Sequence, residues 1–395
     1  MKIEYIDNDK AKGINYNYNF IVKEYKKLVS KTYWSNIDII PFSQAKYFIE
    51  ISERSIGKTT KWLLFGMLMN KYYGTHIQYI RQVLDMIMPK NMKIFRTILE
   101  YDYVEKITDG KYNSVKYQSR SFYYYNTETE EIATEPFMDC LSIDNNDKYV
   151  SSYNAPTGDL IIFDEFINRK YYHINEFCDF EDLVKTIIRD RESPIVVMIS
   201  NTIDRYNEYF KELEIYDIIQ SMSIGNSRLI NTDMGTHIYI SLLTGNYKGD
   251  KALQKTKHNN LFFGFKNEKL NSIRGGNWAT NSFPHIPRYN DNAECIINNR
   301  YIYINGQYLR IEIYNSLEYG TIAHIHLSNK PKYNDSIIYT TEYITSNNER
   351  FGFGNTKTDK YIWSLYSANR FYYSDNMIGE LCKAYIRLVK TFNKN

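Results

Sequence analysis

Residues 45–60 read AKYFIEISERSIGKTT. The aromatic and β-branched run Ala45–Ser52 predicts a short strand, and Thr60–Tyr72 carries the apolar residues of a helix. Between them the loop closes on Gly57-Lys58-Thr59. Strand, tight loop and helix in that order are the setting of the phosphate-binding pattern G-x-x-x-x-G-K-[ST], with Ser52 standing in place of its first glycine. Backbone N–H groups at a helix N-terminus cradle phosphates, a lysine reaches the β- and γ-phosphates, and a hydroxyl ligates Mg²⁺. Ser52, Glu53, Arg54, Ser55, Ile56, Gly57, Lys58, Thr59 and Thr60 are therefore the candidate nucleotide-binding residues, with ATP as substrate and Mg²⁺ as cofactor. A bare G-K-T also occurs in plain surface turns, so the reading needs a second element.

That element is Leu160-Ile161-Ile162-Phe163-Asp164-Glu165, four apolar residues ending in adjacent carboxylates. Asp164 at the end of a buried strand can reach the Mg²⁺ shell beside Thr59, and Glu165 can polarise a water for attack on the γ-phosphate. A third apolar run, Ile195–Ser200, ends at Asn201, the candidate γ-phosphate sensor. Just before it, Arg189-Asp190-Arg191-Glu192 offers two arginines. An arginine donated by a neighbouring subunit can stabilise transition-state charge, and a solvated charge cluster is the bland alternative.

Around these motifs the chain alternates strand-like and helix-like stretches. His76–Gln82 predicts a strand, Asp85–Tyr101 a helix, Lys111–Tyr125 an aromatic hairpin and Glu176–Ile188 a helix. Continuous apolar strands separated by helices predict an α/β domain with a mostly parallel sheet over residues 1–225. Residues 226–258 are rich in Gly, Thr, Asn and Lys and read as a basic linker, with Lys248, Lys251, Lys255 and Lys257 as candidate DNA contacts. Residues 259–395 read as a smaller α+β domain, with strand-like pieces at Asn260–Phe265, Glu294–Ile304, Tyr308–Tyr314, Thr321–Leu327 and Ile337–Thr341. A final helix covers about Asp375–Phe392.

A chain of 395 residues with 43% hydrophobic and 24% charged residues excludes a disordered protein. Its longest apolar run, Trp62–Met69, falls well short of the roughly 20 residues that cross a bilayer, so no membrane partner is expected. No secretory signal is expected from Met1–Lys12, and the spacing of Cys140, Cys178, Cys295 and Cys382 fits no zinc or redox motif. The overall charge of +3 is uneven: Met1–Gln220 carries 28 basic against 33 acidic residues, and Ser221–Asn395 carries 21 against 13. A polyanion is therefore expected on the C-terminal part.

Three stretches together carry a resemblance: ISERSIGKTT (51–60), LIIFDEFINRKYY (160–172) and IIRDRESPIVVMISNTIDRYNEYF (187–210). They resemble the DNA-packaging (encapsidation) ATPases of small short-tailed bacteriophages that use a packaging RNA, relatives of the terminase large subunits. Phe163-Asp164-Glu165-Phe166-Ile167 matches the family's motif outright, whereas Ser52 and Ser55 replace glycines of its P-loop and Asn168 replaces a basic residue. The resemblance implies an additional-strand, conserved-glutamate (ASCE) P-loop domain, and a C-terminal domain similar to the RNase H-like nucleases of terminases. It implies a self-assembled ring, five-fold, on the capsid portal, driving double-stranded DNA inward, with a packaging RNA as further partner. The setting would be the host cytoplasm, transiently on the procapsid. By residue match, Lys58 and Thr59 would hold nucleotide and Mg²⁺, Asp164 the metal shell, and Glu165 the attacking water. Arg189 would act in trans, Arg54 would contact phosphate in cis, and Lys148 would face DNA.

Two-metal cleavage of phosphodiesters needs several converging carboxylates. Beyond Asn277 only Glu312 lies inside a clear strand, so the C-terminal domain is expected to be a vestigial nuclease that contacts nucleic acid or portal without cutting. His324 and His326 fall on one strand face and read as a structural pair. Two other readings stay open: a terminase-like motor with a live nuclease, and a non-enzymatic virion or scaffold protein, rich in its 39 tyrosines, with a decayed P-loop.

Overall fold

The computed structural model describes residues 16–29, 37, 40–52, 56–145, 158–167, 176–201, 207–223, 225–243, 283, 284, 286, 294–316, 320–331, 335–342, 344–354 and 356–392. They form two compact units. The first draws on the described residues of 16–167, 176–201 and 212–243, and the second on 207–211 and 283–392.

The first unit is built on one nine-stranded sheet. Its strands are β1 (Tyr47–Ser52), β2 (Ile77–Arg81), β3 (Ser114–Gln118), β4 (Ser121–Tyr125), β5 (Met138–Ser142), β6 (Leu160–Asp164), β7 (Ile195–Ser200), β8 (Ser227–Asn231) and β9 (His237–Leu243). Their order across the sheet is β3-β4-β5-β2-β6-β7-β1-β9-β8. The six strands from β5 to β9 in this order run parallel, and antiparallel strands cover both edges. All five residues of β6 and all six of β7 are buried, as expected of strands covered on both faces. β7 lies between β1 and β6. An extra strand thus separates the strand that enters the loop from the strand that carries the carboxylates, which is the ASCE arrangement expected from the resemblance.

Helix α1 (Tyr18–Leu28) packs through Ile21 and Tyr25, and α2 (Lys58–Tyr73) is buried from Lys61 to Met69 on every face. Gly66 makes the close approach of α2 to the sheet possible: a Cβ there would fall 2.5 Å from Ile77 Cδ1 and 2.8 Å from Leu160 Cδ2. Inside α2 the Lys61 ammonium is fully buried against Glu50 of β1, at 2.5 and 2.7 Å, and Trp62 Nε1 donates to the same carboxylate at 2.9 Å. Helix α3 (Glu176–Ile188) buries Phe180, Leu183, Val184 and Ile187.

Two expectations need correction. The helix expected over Asp85–Tyr101 is a single 3₁₀ turn, Leu84–Ile87, followed by a separate short helix, Arg96–Glu100. Pro89 lacks the N–H a continuing helix needs and disfavours helical backbone at Met88, which is extended with ψ 150°. The linker expected over residues 226–258 contains β8 and β9. β9 pairs with β1 from Tyr47↔Ile238 to Ser52↔Leu243, and its interior is buried because Ile238, Tyr239, Ile240 and Leu242 are apolar and mostly β-branched or aromatic. Its polar and glycine-containing flanks hid that core. Among Lys248, Lys251, Lys255 and Lys257 none lies within the described residues, nor does the strand expected at Asn260–Phe265.

The second unit has a six-stranded sheet. β10 (Glu294–Ile304), β11 (Gln307–Ser316) and β12 (Gly320–Ser328) form an antiparallel meander, and β13 (Ile337–Thr340), β14 (Glu349–Phe351) and β15 (Phe371–Tyr373) add in parallel to its edges. The order is β14-β13-β10-β11-β12-β15. Helix α4 (Lys357–Ser367) begins with a Thr356–Asp359 capping box. Helix α5 (Asn376–Phe392) buries Ile378, Leu381, Tyr385 and Val389 along one face. No described helix is long and apolar enough to cross a membrane.

Candidate active site

Gly57 ends the loop after β1 with φ 77° and is the N-cap of α2. A Cβ is strained in that left-handed conformation, which gives the glycine of G-K-T its physical reason here. One residue later Lys58 enters α2 and is buried; its Nζ donates to Ser52 Oγ, and to Asn201 Oδ1 at 2.8 Å. The ends of β1, α2 and β7 therefore meet at one ammonium. Burial pushes the Lys58 pKa down to about 8, against the pull of Glu50 and Asp164.

Thr59 Oγ1 donates to Asp164 Oδ2 at 3.2 Å, so hydroxyl and carboxylate converge from α2 and β6. Asp164 is buried, and burial raises its pKa, while Arg81 and hydrogen bonds from Tyr79 and Thr59 oppose the rise. Tyr79 OH donates to Asp164 Oδ2 at 2.6 Å. A desolvated carboxylate beside a threonine hydroxyl is a donor set that fits a hard divalent cation such as Mg²⁺.

Glu165 follows at φ 57°, a left-handed conformation unusual for a residue other than glycine and of the kind concentrated at functional sites. Its N–H donates to Ile199 O at 2.8 Å, which fixes the turn against β7. Arg81 donates to Glu165 Oε2 at 2.7 Å, and its other terminal nitrogen lies 3.4 Å from Asp164 Oδ2. Burial works against the Arg81 charge, but Tyr79, Asp164 and Glu165 more than offset it and hold the guanidinium protonated.

The structure thus brings Ser52, Lys58, Thr59, Asp164, Glu165 and Asn201 together at the C-terminal ends of the parallel strands, where open α/β sheets bind their ligands. Ile56 is buried, and Thr60 is half-buried in the first turn of α2. Glu53, Arg54, Ser55 and Lys148 lie outside the described residues. Arg189 is exposed at the C-terminal end of α3, with φ 51°. Arg191 has a separate setting: NH1 donates to the buried Asp159 at 2.6 Å and NH2 to Ile187 O at 2.6 Å, while Ser193 Oγ and Tyr16 OH complete the carboxylate's partners.

Sequence reading missed the part played by β2. Tyr79 and Arg81 touch the carboxylates, and Gln82 donates to Phe166 O at 3.1 Å and to the buried Glu176 at 2.9 Å. The sequence carried half of the signal: polar residues close an apolar strand at Arg81 and Gln82, but that this strand lies beside β6 emerges only from the sheet order.

No family model matches the chain. No curated protein matches it either. Solved structures do. The bacteriophage phi29 viral genome packaging motor assembly is similar over 91% of this chain and 100% of its own, with a TM-score of 0.51 at 16% identity. The phi28 gp11 DNA packaging motor is similar over 88% and 95%, with a TM-score of 0.51 at 14% identity. The chain has the fold of these phage packaging motors. The likeness spans both units, as the sequence resemblance implied.

Proposed function

We propose that the protein is an ATP-driven motor that moves double-stranded viral DNA into a preformed capsid. One observation carries the reading: Lys58, Asn201, Thr59, Asp164 and Glu165 converge at the loop end of an ASCE-ordered sheet. The likeness to packaging motors supplies the kind of work such a site would drive.

In this reading ATP lies at the N-terminus of α2, its phosphates against the loop and Lys58. An anionic phosphate restores the proton that burial makes costly on Lys58. Thr59 and Asp164 would hold Mg²⁺, which would supply charge neutralisation for the phosphates. Glu165 orients and polarises the attacking water, and Asn201 reads the γ-phosphate beside Lys58. Arg189, exposed at the end of α3, reaches the nucleotide of the next subunit in a ring, and Arg54 contacts phosphate in cis.

The partners are then double-stranded DNA, further copies of this chain in a five-fold ring, the capsid portal and a packaging RNA, on the procapsid in the host cytoplasm. The second unit is an RNase H-like domain in which β13 and β14 extend the β10–β12 meander in parallel, and it contacts nucleic acid or portal without cutting. ATP hydrolysis by the full chain, with and without empty capsids and DNA, tests the proposal, with Lys58→Ala as control. Turnover that DNA and capsids stimulate and Lys58→Ala abolishes supports it. Turnover indifferent to Lys58 refutes it.

A further inference from the structure

The antiparallel register of β11 and β12 sets Glu312 directly opposite His324, and His326, two residues on, shares their face of the sheet. The opposite face is apolar, with Ile311, Ile313, Ala323 and Ile325 buried. One donor atom from each of Glu312, His324 and His326 lies within 4.8 Å of those of the other two. The gap between His326 Nε2 and Glu312 Oε2 is 3.4 Å.

Hydrogen bonds to backbone decide which imidazole nitrogens are available. His324 Nε2 lies 3.0 Å from Ile286 O, and His326 Nδ1 lies 3.0 Å from Leu327 O. A carbonyl only accepts, so each of these nitrogens carries a proton and the other ring nitrogen is the one a metal ion would take; His326 Nε2, which faces the Glu312 carboxylate, would release its own proton to the ion on binding. Fixing a histidine ligand through its second N–H is the usual outer-shell device of metal sites. The carboxylate is fixed as well: Arg310 NH1 lies 3.2 Å from Oε1, and Tyr314 OH donates to Oε2 at 2.5 Å. His324 is buried, while His326 and Glu312 are partly exposed, so the cluster opens to solvent on one side.

We infer that Glu312, His324 and His326 form a binding site for one divalent transition-metal ion, Zn²⁺ foremost. Two imidazoles and a carboxylate with one position left to solvent are a zinc donor set, whereas Mg²⁺ and Ca²⁺ take oxygen ligands almost exclusively. Tetrahedral Zn²⁺ with ligands at about 2.1 Å needs donor atoms about 3.4 Å apart. The His326–Glu312 pair already meets that spacing, and the other separations, within 4.8 Å, would have to close by side-chain rotation. The site belongs wholly to the second unit and is independent of the nucleotide reading. It would bridge β11 and β12, the last two strands of the meander, and, through His324, the backbone carbonyl of Ile286.

The test uses the full-length chain, stripped with chelator and titrated with Zn²⁺ without nucleotide, against His326→Gln and Glu312→Gln. Both lie on the open rim, where substitution spares the buried face. The expected result is one equivalent of Zn²⁺, with affinity about tenfold or more lower in each variant. Co²⁺ should give the intense visible bands of a four-coordinate ion, lost in His326→Gln. The inference fails if the parent chain binds no more Zn²⁺ than the His326→Gln/Glu312→Gln double variant, or if Co²⁺ keeps its weak six-coordinate spectrum.

Discussion

Arg81 grips Glu165 at 2.7 Å and stands 3.4 Å from Asp164, so one guanidinium at the end of β2 serves both carboxylates at the end of β6. Removing it leaves Asp164 buried without its cation. Arg81→Leu should therefore raise the Asp164 pKa further and move the acid limb of the pH–rate profile to higher pH. Turnover near neutral pH should fall by about 10²-fold through lost alignment, and Arg81→Lys should restore part of it. An unchanged acid limb in Arg81→Leu would show that the arginine does not act on Asp164.

Lys58 yields a second pH dependence. Its pKa sits at about 8, below the ordinary lysine value, so the ammonium loses its proton as pH rises through 8 while an exposed lysine keeps it. Affinity for a non-hydrolysable ATP analogue should be flat below that pH and decline above it. Binding at pH 9 should also take up a proton, seen by calorimetry in buffers of different ionisation heat. Affinity and heat independent of pH and buffer would contradict the phosphate role of Lys58.

The Glu50–Lys61 pair is a matter of stability. Lys61→Met leaves a buried carboxylate with Trp62 as its one remaining hydrogen-bond donor among the described residues and should cost about 3–5 kcal/mol. Replacing both, as Glu50→Leu/Lys61→Met, should recover most of the loss, because the desolvation of two charges disappears with them. Denaturant unfolding of the two variants checks this, and equal stabilities would show that the site tolerates a lone carboxylate.

Arg189 and Arg191 should part company under mutation. Arg191→Ala takes the cation from the buried Asp159, leaving its charge to the hydroxyls of Tyr16 and Ser193, and should lower the thermal midpoint. Arg189→Ala should abolish turnover in assembled rings. Mixing Arg189→Ala with Glu165→Gln subunits should recover turnover wherever a good finger faces a good pocket. A flat mixing curve on assembled rings would refute the action in trans.

The motifs were legible because each is short and chemically demanding. An apolar strand ending Asp164-Glu165 and a loop closing Gly57-Lys58-Thr59 need no tertiary context to be seen. Less legible were contacts made across the sheet. Nothing local in Ile77–Arg81 says that β2 neighbours β6, so Tyr79 and Arg81 were not associated with Asp164. The same holds for β9, whose pairing with β1 joins residues almost two hundred positions apart. The histidine pair on β12 gained its third member only from the register with β11.

ATP binding and ATP turnover, measured side by side on the full chain and on Glu165→Gln, with empty capsids and double-stranded DNA present, test the account most directly. Glu165 is assigned to the water and not to the phosphates. The variant should therefore bind ATP as the parent does, while its turnover drops by about 10²–10⁴-fold. Near-normal turnover in Glu165→Gln, or none in the parent chain on capsids, would contradict it.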